Sequence, residues 1–121
     1  MSIEAISEKA KDLGRLIGQT EEYKAMVRAR DRFGEDKDAV ARVSRLSELE
    51  QSVGQSLQHG EEPTEAIREE YEKLFSELQG SSVYQGMVAA QSNFDKILQR
   101  VNEDISKGIE LGATSRIILT K

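Results

Sequence analysis

An all-α fold, built of long antiparallel helices in a hairpin or bundle and completed by self-association, is what this 121-residue sequence predicts. Three observations predict it. Charged residues reach 32% while apolar ones stay at 37%, in a mix rich in Ala, Glu, Lys, Leu and Arg that suits long helices with solvated faces. Apolar side chains recur at steps of three and four along nearly the whole chain, which is the period of a helix face. Short turn-forming segments separate the runs, and nothing in the body alternates apolar and polar residues as a half-buried strand does. The length suits one domain, assigned to residues 1–112, with 113–121 as a C-terminal tail.

Ile3, Ile6, Ala10, Leu13 and Ile17 make the first amphipathic run, and Ser2 is available to cap it. Gly18 suits the end of that helix. Thr20 suits the N-cap of the next, because Glu21 and Glu22 then fall in a first turn where the helix dipole favours negative charge. The stretch LIGQTEEYKAM is therefore a junction between two helices. The second helix carries Tyr23, Met26, Val27, the stem of Arg30 and Phe33 before Gly34, Glu35 and Asp36 interrupt it. Whether Gly34 breaks the chain or only bends it stays open at this level. Asp36 or Asp38 caps a third run, in which Val40, Val43, Leu46, Leu49, Val53 and Leu57 recur up to a stop at His59 and Gly60.

The only proline, Pro63, fits the first position of a fourth helix, where its missing N–H costs nothing. That helix aligns Ile67, Tyr71, Leu74 and Leu78, with Phe75 beside them, and Gly80 closes it. Ser81 or Ser82 caps the fifth. Here Val83, Met87, Ala90, Phe94, Ile97 and Val101 step by 4, 3, 4, 3 and 4, with Ile105 beyond, the strongest periodic signal in the chain. Spacing of this kind favours shallow-angle packing of sequential helices folded back on one another. Gly14, Gly54, Gly86 and Gly108 fall inside predicted helices at a cost of about 1 kcal/mol each. Close backbone approach around Gly86, Ala89 and Ala90 is one reading of them, and tolerated surface glycine is the other. The tail ATSRIILTK turns β-branched and apolar, so Ile117, Ile118 and Leu119 either dock on this chain or a second copy, or form a frayed end or partner site.

Charge is unevenly spread. Glu61 to Glu77 holds seven Glu against Arg68 and Lys73 and accounts for the whole net charge of −5. Lys24 to Arg45 carries seven basic residues against four acidic ones. The two segments read either as opposed patches that help helices find each other or as two solvated faces. Cysteine is absent, which excludes disulfides, thiolate nucleophiles and Cys-ligated zinc or iron–sulfur centres. The N-terminus has no basic region followed by an apolar core, and no apolar run approaches the ~18 residues of a membrane span, so a cytoplasmic protein with no membrane contact is expected.

Catalytic chemistry finds few carriers. His59 is the only histidine and sits in a polar connection, without the paired spacing of HExxH. Glu65, Glu69 and Glu72 share a helix face and, with His59, give the alternative reading of a carboxylate metal-binding enzyme, although no second helix offers the matching Glu-x-x-His of di-iron bundles. A direct RNA-binding module through Arg28, Arg30, Arg32, Arg42 and Arg45 is the other alternative, against an acidic chain of pI near 5.0. No nucleotide-binding glycine motif occurs. The long stripe of the fifth helix leaves apolar surface that a monomer hides poorly. Val83, Met87, Ala90, Phe94, Ile97 and Val101, with Ile117, Ile118 and Leu119 in the tail, are the candidate interface residues, and a homo-oligomer is the expected assembly.

The run QTEEYKAM after the first helix, LQHGEEP between the two helical halves, and SSVYQGMVAAQSNFDKILQRVNEDI together resemble the YlbF/YheA/YmcA family of small bacterial helical proteins, the YheA branch most closely. The likeness covers roughly residues 5–111 in order and is carried by capping and packing signatures. It implies an all-α, self-associating protein and offers no catalytic residues to carry over, and no cofactor is expected for this chain. It also implies a regulatory role, since YlbF and YmcA relatives act with YaaT on the endoribonuclease RNase Y and so influence mRNA processing, competence, sporulation and biofilm formation. The YaaT-linked complex is associated with cysteine-ligated iron–sulfur clusters, and this chain has no cysteine to offer one.

Overall fold

The computed structural model describes the backbone of residues 2–119 and the side chains of residues 2–114. Five helices follow one another: α1 (Ile3–Gly18), α2 (Glu21–Glu35), α3 (Lys37–Gln58), α4 (Glu65–Gln79) and α5 (Ser82–Leu119). No strand occurs among the described residues. Each start is written locally by a side-chain oxygen that accepts an otherwise orphaned backbone N–H. Ser2 accepts from Ala5, Thr20 from Tyr23, Asp36 from Ala39, Thr64 from Ile67 and Ser81 from Tyr84.

The junctions resolve what the sequence left open. Gly34 lies inside α2, and the break falls two residues later at Asp36, whose φ of −88° and ψ of 94° leave the helical region while its carboxylate caps α3. A glycine is compatible with a helix, whereas an Asp that can cap the following turn favours an extended backbone. Pro63 does not occupy the first helical position as expected. Thr64 is the N-cap and Glu65 opens α4, so the proline stands just outside, because the Thr hydroxyl takes the Ile67 N–H that defines the cap. At the end of α3, Gly60 has φ +74°, its N–H reaches Leu57 O at 3.1 Å, and Glu61 N–H reaches Ser56 O at 2.8 Å. This is a Schellman stop, and it needs a residue that tolerates the left-handed region.

Two antiparallel pairs make the body. Tyr23 meets Phe94 and Phe33 meets Tyr84, so α2 runs against the first half of α5. Arg45 meets Glu70 and Arg42 meets Glu77, so α3 runs against α4. In both pairs the residue number rises along one helix as it falls along the other, with nearly the same offset. The helices α2–α3 and α4–α5 are thus two arms of one long hairpin, broken at facing points, Asp36 on one arm and Gly80–Ser81 on the other. The buried residues Met26, Ala39, Leu49, Leu78 and Phe94 form a thin line along these arms rather than a rounded core.

α1 lies outside this body. It meets α2 at the junction and buries none of its residues. The far half of α5 is equally bare, every residue from Asn102 to Thr114 being exposed. The backbone of 113–119 continues α5, while the side chains of Ile117, Ile118 and Leu119 lie outside the described residues. No helix among the described residues is long and apolar enough to cross a membrane.

Candidate protein-interaction surface

The seam between α2 and α5 takes up the stripe that the sequence marks as an interface. Phe94 is buried with its ring edge-on to Tyr23, centroids 5.4 Å apart, and Phe33 tilts against Tyr84 at 6.3 Å. Val83 borders Ala29 and Arg32, Met87 borders Arg30, and Ala90 lies by Ala25. Ile97 and Val101 are half-buried at the outer end of the seam. Val83, Met87, Ala90 and Phe94 therefore line an intramolecular contact in the single chain. Close backbone approach at Gly86 is not realised: a methyl group there would have no neighbour within 4 Å. The adjacent Ala89 and Ala90 border a shallow groove with Glu21, Glu22 and Ala25 instead.

The charged segments bring α3 and α4 together. Arg42 donates to Glu77 at 2.6 Å. Arg45 holds Glu70 through two donors, Nε at 2.6 Å and Nη2 at 3.1 Å, and reaches Glu48 as well. The hydrogen bond from Arg45 holds the Glu70 carboxyl below the usual carboxylate range, and the same bond raises the Arg45 guanidinium, which stays charged at any accessible pH. Opposed patches are thus paired within the chain, as one of the two readings of the charge pattern anticipated. The pairs are half-exposed, so they set register more than they stabilise.

That use of the arginines weighs against the RNA-binding alternative. Arg42 and Arg45 are spent on carboxylates and Arg30 donates to Gln91 at 2.7 Å across the α2–α5 seam. The metal-binding alternative fares no better, because His59, Glu65, Glu69 and Glu72 are all exposed and no group of three or more His, Asp or Glu converges on a metal-sized site among the described residues. An open groove of about 350 Å³ does lie between α3 and α4, lined by Val53, Pro63, Ile67 and Tyr71 with Glu50, Arg68 and Glu72 at its rim. It carries one acidic pair and one cation, but no nucleophile with a base beside it.

What the structure leaves unpartnered is apolar and lies at the ends of the arms. Ile3 is 73% exposed, Ile6 51% and Leu16 64% on α1, while Ile105 is 46%, Ile109 67% and Leu111 69% exposed on the far half of α5. Among these, sequence reasoning placed Ile3, Ile6 and Ile105 on stripes but missed Leu16, Ile109 and Leu111. Ile109 continues the stripe by a step of four from Ile105, while Leu16 and Leu111 sit one position off a 3–4 stripe, and a wider apolar arc was the available signal for those two.

Comparison with known proteins supports this picture. A family model described as "Control of competence regulator ComK, YlbF/YmcA" matches residues 6–110. A UPF0342 protein of Limosilactobacillus reuteri is 23% identical over 105 residues, covering 87% of this chain and 85% of its own length. Another, from Lactobacillus acidophilus, is 25% identical over 104 residues, covering 86% and 90%. In fold, the chain is similar to one in the crystal structure of Bacillus subtilis RicA in complex with RicF, with a TM-score of 0.72 at 19% identity over 91% of this chain and 96% of that one. With helices in the same arrangement and a family match spanning all but the two ends, the chain belongs to the YlbF/YmcA family of competence-control proteins.

Proposed function

We propose that the protein is a non-enzymatic, self-associating helical adaptor of the cytoplasm, which presents helix faces to protein partners and acts in RNase Y-dependent control of RNA processing, and through it in competence, sporulation or biofilm formation. The observation that carries this reading is the family match over residues 6–110, whose description is one of regulatory control. Two further features support it. The similar solved structure is of a complex between two proteins, RicA and RicF. The apolar faces of α1 and the far half of α5 are of the kind that protein partners cover. Having no cysteine, the chain contributes no thiolate, so any iron–sulfur cluster in an assembly of the YaaT type takes its thiolates from the partners.

The test is binding of the purified chain to the YlbF- or YmcA-like protein and to the RNase Y of the same cell, followed by calorimetry and by gel filtration with light scattering. A stoichiometric complex of micromolar or better affinity is expected. Absence of any complex with either protein at the highest soluble concentrations would remove the regulatory reading.

A further inference from the structure

We propose that α1 of one copy docks antiparallel on the far half of α5 of a second copy, and that the exchange is reciprocal about a two-fold axis. The proposal rests on the self-association part of the function above and says which surfaces perform it.

The two faces match in register. On α1 the core-type positions Ile17, Leu13, Ala10 and Ile6 descend by steps of four, three and four. On α5 the positions Val101, Ile105, Gly108 and Gly112 ascend by the same steps. Laid antiparallel, they form four successive layers: Ile17 with Val101, Leu13 with Ile105, Ala10 with Gly108, and Ile6 with Gly112. The inner layers join large side chains. The outer layers set a side chain against glycine, and a methyl group at Gly108 or Gly112 would meet nothing within 4 Å, so those positions are open to a neighbour. The layers also continue, with almost the same offset, the register in which α2 already lies on the first half of α5.

The occupant is a second copy because one chain holds both halves of the contact yet leaves most of each exposed, only Leu13, Ile17 and Val101 of the eight layer residues being half-buried. α1 leaves the body at Gln19–Thr20 and keeps Ile6 half-exposed, and Ile105 stays open on α5. A two-fold operator satisfies all four faces at once, whereas a different protein would have to supply two unrelated surfaces. Surface area agrees. The chain exposes 9417 Å², against roughly 6,500 Å² for a compact monomer of 13.5 kDa. The excess of roughly 2,900 Å² per copy is well beyond the ~800 Å² per partner of a standard interface.

The chain has no cysteine, so single thiols report cleanly. Leu13→Cys and Ile105→Cys chains, carrying tags of different mass and each shown by circular dichroism to be helical, are mixed, allowed to exchange and oxidised. Light scattering of the unmodified chain is expected to give twice the mass of one chain, and oxidation is expected to give predominantly the mixed-mass disulfide, with little linkage of either variant to itself. An oligomer that forms no mixed disulfide overturns the exchange while leaving self-association standing. A chain of single mass, whose Leu13→Cys/Ile105→Cys double variant links only within itself, overturns both.

Discussion

Phe94 and Leu78 show how much a few side chains carry when the core is a line. Leu78 is 2% exposed beside the facing breaks of the two arms, and Phe94 closes the α2–α5 seam against Tyr23. Truncating either removes apolar contact that neighbours on a thin core cannot refill. Leu78→Ala and Phe94→Ala should each cost about 3 kcal/mol in urea unfolding, while Phe75→Ala, at a half-exposed position, should cost under about 1 kcal/mol. Glu70 gives a pH signature. Its carboxyl is held low by the bond from Arg45, so the stabilisation is present above the ordinary carboxylate range and is lost as pH falls through that range to the depressed value. Glu70→Gln should therefore lose stability at neutral pH and show a flatter decline toward acid than the parent, measured by thermal melts across a pH series.

At the scale of the element, the caps decide where helices begin. Asp36 accepts the Ala39 N–H at 3.0 Å, and Asp36→Ala should cost about 1 kcal/mol. Gly34 supplies the complementary test. Because it lies within α2, exposed and free of neighbours within 4 Å, Gly34→Ala should stabilise by about 0.5–1 kcal/mol in chemical denaturation. A glycine that formed the break would respond with the opposite sign. Gly60 is such a glycine: with φ at +74°, Gly60→Ala should cost about 1 kcal/mol despite the open space around it. Much at this scale was legible from residue types, because Ser2, Thr20 and Asp36 act on their own neighbours three residues on. Pro63 was misplaced by two positions, Glu65 being the first helical residue, because two good start signals, a proline and Thr64, stand side by side.

On the scale of the molecule, an elongated hairpin with bare ends should behave as part of an assembly. If the bare ends are covered by a second copy, the melting temperature rises with protein concentration, since association binds the folded state by mass action. Differential scanning calorimetry over a hundredfold concentration range checks this, and Ile105→Asp should abolish the dependence without removing the helical signal, because Ile105 is half-exposed in the single chain. A dependence unchanged in Ile105→Asp would move the contact away from α5.

The sequence by itself determined the helices, their caps and the two-armed order, because apolar spacing and capping are local and need only neighbours along the chain. The pairing of Arg42 with Glu77 was within reach, since the two lie 18 residues before and 17 after the turn at Gly60, whereas Arg45 and Glu70, 15 before and 10 after it, do not follow from that count. Tertiary structure alone decided which stripes are consumed. The run from Val83 to Phe94 looked like free surface, but α2 covers it. The faces of α1 and the far half of α5 carry weaker patterns and stay open. Periodicity reports that a face is apolar, whereas burial depends on where another helix lies, and that is set by the breaks at Gln19–Thr20, Asp36 and Gly80–Ser81.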